Sequence, residues 1–166
     1  MRRSPQNQHL QSGTTLTEVL IAVLLFAIFF ISVFELNAVC LRYIDASKES
    51  VAAFELAHDR LEVLRNLAFS DLTNTAYLQG LLASPANGSE FAKKATEVVK
   101  LAQYPIALGV TQLTRTGNGT VTTNSVALGL GTNLVQVDVS STWNMTFGGR
   151  TRSAQVTTVI SNGTKK

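Results

Sequence analysis

Residues 19–34 read VLIAVLLFAIFFISVF, and this stretch, with Glu18 at its leading edge, decides the architecture. It holds no ionisable group, and Ser32 is its one polar residue. Wound as an α-helix it rises ~24 Å, and extending it back through Leu16 and Thr17 brings it close to the ~30 Å hydrocarbon core of a bilayer. The stretch therefore predicts a membrane-spanning helix. Residues 1–13, MRRSPQNQHLQSG, carry Arg2 and Arg3 and no acid, so the positive-inside bias holds the N-terminus in the cytoplasm and sends the bulk of the chain outward. A secretory signal peptide shares the basic start and the apolar run. After Phe34, however, the chain reads ELNAVCLRY, which offers no small-x-small cleavage site and continues the helical pattern, so the run is expected to be retained.

The remainder of the composition narrows the class further. At 166 residues, 45% apolar and 15% charged, the chain is too hydrophobic for intrinsic disorder and long enough for one modest domain. Arg2 and Arg3 supply two of the three net positive charges, so no nucleic-acid partner is implied. One cysteine, Cys40, excludes an intramolecular disulfide framework and a cysteine-based zinc cluster.

Glu18 is the residue a plain anchor does not need. A carboxylate at the bilayer centre costs roughly 2.5–3.5 kcal/mol on insertion scales, less near the interface, and a cationic partner offsets it. Cleavage after Gly13 would create that partner: the α-amino group of Thr14 lies one helical turn from Glu18, able to meet its own carboxylate or that of a neighbouring helix displaced along a shared axis.

In these residues the chain resembles the class III signal of type IV pilins and type II secretion pseudopilins. Such proteins typically read G-F-T-L-I-E-V-L-V-A, against G-T-T-L-T-E-V-L-I-A over residues 13–22. The resemblance implies that residues 1–13 form a prepilin leader, that Gly13 precedes the peptidase cut, that Thr14 becomes the N-methylated first residue, and that Glu18 registers incoming subunits. Thr14 stands where Phe or Met is usual, and Thr17 where an aliphatic residue is usual. By the same resemblance, Leu16, Val19, Leu20, Ile21, Val23, Leu24, Leu25, Phe26, Ile28, Phe29 and Phe30 form the membrane and filament-core surface. The implied function is that of a non-enzymatic structural subunit, held in the bacterial inner membrane with its C-terminal domain in the periplasm and then extracted into a pilus or pseudopilus filament. Its implied partners are a prepilin peptidase, an inner-membrane assembly platform with its ATPase, and other pilins or pseudopilins, with no cofactor or metal. The unpaired Cys40 and the lack of Pro or Gly from Leu16 to Ala68 point toward a minor subunit.

Past the membrane stretch, residues 35–68 place Leu36, Val39, Cys40, Tyr43, Val51, Phe54, Leu61, Leu64 and Ala68 at spacings of three and four, one face of a continuing amphipathic helix. A single helix from about Thr15 to Ala68 is expected, roughly 80 Å long. Residues 69–103 read as a variable connection, with a turn at 84–88 and a second helix capped by Ser89 and running to about Ala102, its apolar side made by Phe91, Ala95, Val98 and Leu101. Residues 104–166 switch to alternation. Ile106, Leu108 and Val110 mark one strand, Gly117-Asn118-Gly119 a turn into residues 120–128, and Val135, Val137, Val139, Trp143, Met145 and Phe147 the first arm of a hairpin. Gly148-Gly149 supply its two-residue turn, and Ala154, Val156, Thr158 and Ile160 its second arm. The expected fold class is α+β, type IV pilin-like: a long N-terminal helix, membrane-spanning over residues 14–34, packed on a C-terminal antiparallel sheet of three to four strands.

Catalytic and metal chemistry need clustered His, Cys or carboxylates. His9 falls in the leader, and His58 forms an i, i+4 pair with Glu62 that reads as a solvated contact. Cys40 on the helix stripe reads as a small buried hydrophobe. Arg150, Arg152, Lys165 and Lys166 read as a solvated strand end. The triplets at Asn87, Asn118, Asn144 and Asn162 fit glycosylation acceptors but read as turns and strand edges. A single-pass anchored protein whose periplasmic sheet domain binds a ligand without polymerising is the alternative from a different class.

Overall fold

The computed structural model describes residues 15–106, 109–125, 133–146 and 148–163. Gly13, Thr14, the leader with His9, and Leu108, Phe147, Lys165 and Lys166 lie outside the described residues. The chain divides into two compact units, Met1–Arg42 and Tyr43–Lys166. Helix α1 (Leu16–Asn66) runs through the boundary between them. It begins where the sequence places it and stops two residues short of Ala68, which instead takes an extended conformation (ψ 146°) as the N-cap of α2 (Phe69–Leu72).

In the second unit, residues 43–66 of α1 pack on a five-stranded antiparallel sheet, an α+β arrangement. After α2 come α3 (Thr75–Leu82) and α4 (Glu90–Lys94), then β1 (Thr96–Gln103), β2 (Thr111–Arg115), β3 (Val121–Ser125), β4 (Leu134–Asn144) and β5 (Thr151–Ser161). Strand order is β3-β2-β1-β4-β5, so β1 is the centre of the sheet. The sheet has one strand more than the upper expectation, and the additional strand is β1.

Ser89 does cap a helix, its hydroxyl accepting from the Ala92 amide at 3.1 Å, but that helix ends at Lys94 instead of continuing to Ala102. From Thr96 onward Glu97, Val99 and Leu101 turn inward. Two neighbouring strands pair with this β-branched run, which overrides its helical spacing. The strand expected from Tyr104 begins only at Thr111; Pro105 lacks an N–H and cannot extend a ladder.

The β2–β3 turn forms at the expected glycines, with the Gly119 amide donating to the Thr116 carbonyl at 2.8 Å. The β4–β5 hairpin also forms, yet its turn is longer than two residues. The Met145 amide donates to the Arg150 carbonyl at 3.0 Å and closes the loop, β4 having ended at Asn144. Gly148 and Gly149 take φ of 86° and 60°, the left-handed region that glycine enters without steric cost.

The core of this unit joins Ala57, Leu61 and Leu64 of α1 to Leu72, Leu78 and Leu82, and to Val99, Leu101, Leu113, Val135, Val137 and Val139 of the sheet. A second cluster sets Ala53 and Leu56 against Ala92, Ala95 and Trp143, with Phe91 edge-on to the indole at 5.6 Å. The buried stripe of α1 is thus Ala53, Leu56, Ala57, Arg60, Leu61 and Leu64. Leu61 and Leu64 were expected there. Tyr43, Val51 and Phe54, expected on the same face, are exposed, and so are Leu36 and Val39 in the first unit.

Candidate functional site

In the first unit, α1 is apolar around its whole circumference, the pattern of a helix that meets lipid or other helices on every side. Leu16, Val19, Leu20, Ile21, Val23, Leu24, Leu25, Phe26, Ile28, Phe29 and Phe30 are all at least half exposed. The helix is long and apolar enough to cross a membrane. Ser32 does not disturb this, because its hydroxyl donates to the Ile28 carbonyl at 3.0 Å and is satisfied within the helix.

Glu18 stands in the first turn of α1. Its amide donates to the Thr15 carbonyl at 3.0 Å and lies 3.4 Å from the Thr15 hydroxyl, so Thr15 is the N-cap and Glu18 the third helical residue. Thr-x-x-Glu is the capping-box spacing, a signal present in the sequence as Thr15-Leu16-Thr17-Glu18 and overlooked there. The position puts the carboxylate at the positive end of the helix dipole, where negative charge is favoured.

The second unit holds a polar cluster that the sequence reading missed. Arg60, 2% exposed, and Glu97, fully buried, form a fork: Nε to Oε1 at 2.5 Å and Nη2 to Oε2 at 3.1 Å. Nη2 also donates to the Ser84 carbonyl at 2.7 Å and Nη1 to that of Leu81 at 3.3 Å. One guanidinium thereby ties α1, the end of α3, the α3–α4 connection and β1 together. Removing one partner of such a buried pair ordinarily costs about 3–5 kcal/mol. A charged residue on the apolar stripe between Ala57 and Leu61 was the available sign.

Glu49 makes a second link from α1. Its carboxylate accepts from the Trp143 indole N–H at 3.3 Å, from the Thr146 amide at 3.1 Å and from the Thr146 hydroxyl. Burial pushes its pKa up, but the Thr146 hydroxyl and amide, the indole and the charge of Arg152 together outweigh that and hold it below the usual carboxylate value.

His58 and Glu62 pair at 3.6 Å on the surface. Among the described residues no three His, Cys, Asp or Glu side chains come together as metal ligands would. Cys40 is exposed, not buried as expected, because among the described residues nothing packs over α1 in the unit that holds it. Asn87 and Asn118 brace turns, Asn87 reaching Asp59 at 2.8 Å and Asn118 accepting from the Thr120 amide at 3.1 Å, while Asn144 ends β4. Comparison with family models, with curated proteins and with solved structures finds no match.

Proposed function

We propose that this chain is a structural subunit of a type IV pilus-like or type II secretion pseudopilus filament, anchored by residues 14–34, cut after Gly13 and assembled through α1. The observation that carries the reading is the pairing of a fully apolar helical run with one carboxylate, Glu18, in its first turn. A bilayer anchor is complete without that charge. A filament core uses it, because the amine of Thr14 on one subunit and Glu18 on its neighbour neutralise each other in a medium where neither is stable alone.

A second observation supports polymerisation over simple anchoring. Beyond the membrane stretch, Tyr43, Ile44, Val51 and Phe54 remain about half exposed or more, although they sit at helical spacing on α1. Apolar surface outside the bilayer is covered in a filament by the neighbouring subunit. The partners of this reading are other pilin-like subunits, a prepilin peptidase, and a platform protein with its ATPase in the inner membrane.

Intact-mass and N-terminal analysis of the membrane-extracted protein tests the proposal. A chain beginning at Thr14, with or without one methyl group, is the expected result; a chain retaining Met1 or Arg2 overturns it and leaves a single-pass anchor. In the same cells Glu18→Ala is expected to keep membrane insertion and abolish filaments.

A further inference from the structure

Glu97 has three polar neighbours in the buried layer. Arg60 reaches it from α1 and forms the fork described above. Within the sheet, its register partner on β2 is Arg115 and its register partner on β4 is Ser141. All four side chains are at least 98% buried. Among the described residues, two buried side-chain atoms have no hydrogen-bond partner: Arg115 Nε and Ser141 Oγ. They belong to the two residues that flank Glu97.

Buried donors without acceptors are costly, so structures seldom keep them without a reason. Directly paired residues of an antiparallel ladder have Cα atoms ~4.5–5.5 Å apart, within reach of a side chain that turns sideways along the row. Arg115 is already held in place, its Nη1 donating to the Ala92 carbonyl at 2.9 Å, and this leaves the Nε–H edge as a fixed, vacant donor. A carboxylate lowered onto the sheet from Glu97 would accept from Arg115 Nε on one side and from Ser141 Oγ on the other.

We propose that Glu97 is a shared carboxylate with two seats. In one it grips Arg60 and locks α1 to the sheet, as in this structure. In the other it lies between Arg115 and Ser141, having let go of Arg60, whose guanidinium keeps the Leu81 and Ser84 carbonyls. Either seat pairs the carboxylate with an arginine, so releasing Arg60 does not leave the buried Glu97 without a cation. The side-chain tie between α1 and β1 is thereby reversible without opening the core. This inference rests on the second unit alone and holds whether or not the chain polymerises.

The test uses the full chain in detergent micelles with Arg60→Met, Arg115→Met and the double variant, following urea midpoints and the Arg115 Nε–H resonance. Arg60→Met is expected to fold with a modest loss in midpoint. Its Arg115 Nε–H signal moves downfield as a charged acceptor arrives, and adding Glu97→Gln removes that movement. The double variant is expected to lose more than the two single losses combined. An Arg60→Met chain that does not fold, an unmoved Nε–H signal, or additive losses would each overturn the exchange.

Discussion

Glu49 shows how one carboxylate can tie two elements and report on pH. It lies on α1 well past the apolar run of residues 19–34, and the donors to its carboxylate, Trp143 and Thr146, belong to the end of β4 and the loop after it. Its folded pKa is lowered from the ordinary value of 4.5. The stabilisation is therefore fully present above that value and is lost as pH falls through the lower, folded one. Urea midpoints of the full chain and of Glu49→Gln are expected to differ at pH 7, with the variant weaker, and to converge once the pH has fallen below the lowered, folded value. A gap that persists in acid would assign the loss to packing and not to charge. At this scale the sequence was legible where a residue's role is local. Glu18 stood out by type and position, and the Ser89 cap was found. Arg60 and Glu97 were not, because their partnership joins residues far apart in the chain, and the place of Arg60 between Ala57 and Leu61 signals burial without naming a partner.

Element by element, the same division recurs. The β4–β5 hairpin was readable because alternation and a Gly-Gly turn are both local signals. Strand β1 was not: its residues satisfy a helical spacing through Val98 and Leu101 and an alternating one through Glu97, Val99 and Leu101, and pairing with β2 and β4 decides between them. The end of the short α4 that precedes it lies close against Gly117 of the β2–β3 turn. A Cβ at that position would stand 2.7 Å from the Lys94 carbonyl oxygen and 3.0 Å from that of Lys93, both backbone atoms that cannot swing aside. Gly117→Ala is expected to cost about 1–3 kcal/mol, read from thermal or urea midpoints, as overpacking does. Gly88→Ala, where nothing lies within 4 Å of the new carbon, is the control and is expected to be near neutral.

For the molecule as a whole, the energetics of residues 19–34 dominate. Their thirteen Leu, Ile, Val and Phe side chains favour insertion by about 4–8 kcal/mol together on translocon scales, more than the roughly 2.5–3.5 kcal/mol that a central carboxylate would cost, and Glu18 is at the edge. The full chain is accordingly expected to stay in the membrane pellet through an alkaline carbonate wash and to enter the supernatant with detergent. Release by carbonate alone would mean that the helix does not span. The long helix, its apolar half, the acidic residue at its start and the α+β class all follow from the chain read in order, because periodicity and local charge express themselves within a few turns. The tertiary structure alone decided which side of residues 43–66 faces the sheet, that β1 is the central strand, and that Arg60 and Glu97 meet in the core. Each of those depends on which distant segment supplies a hydrogen-bond ladder or an opposite charge, and neighbouring residues do not encode that choice.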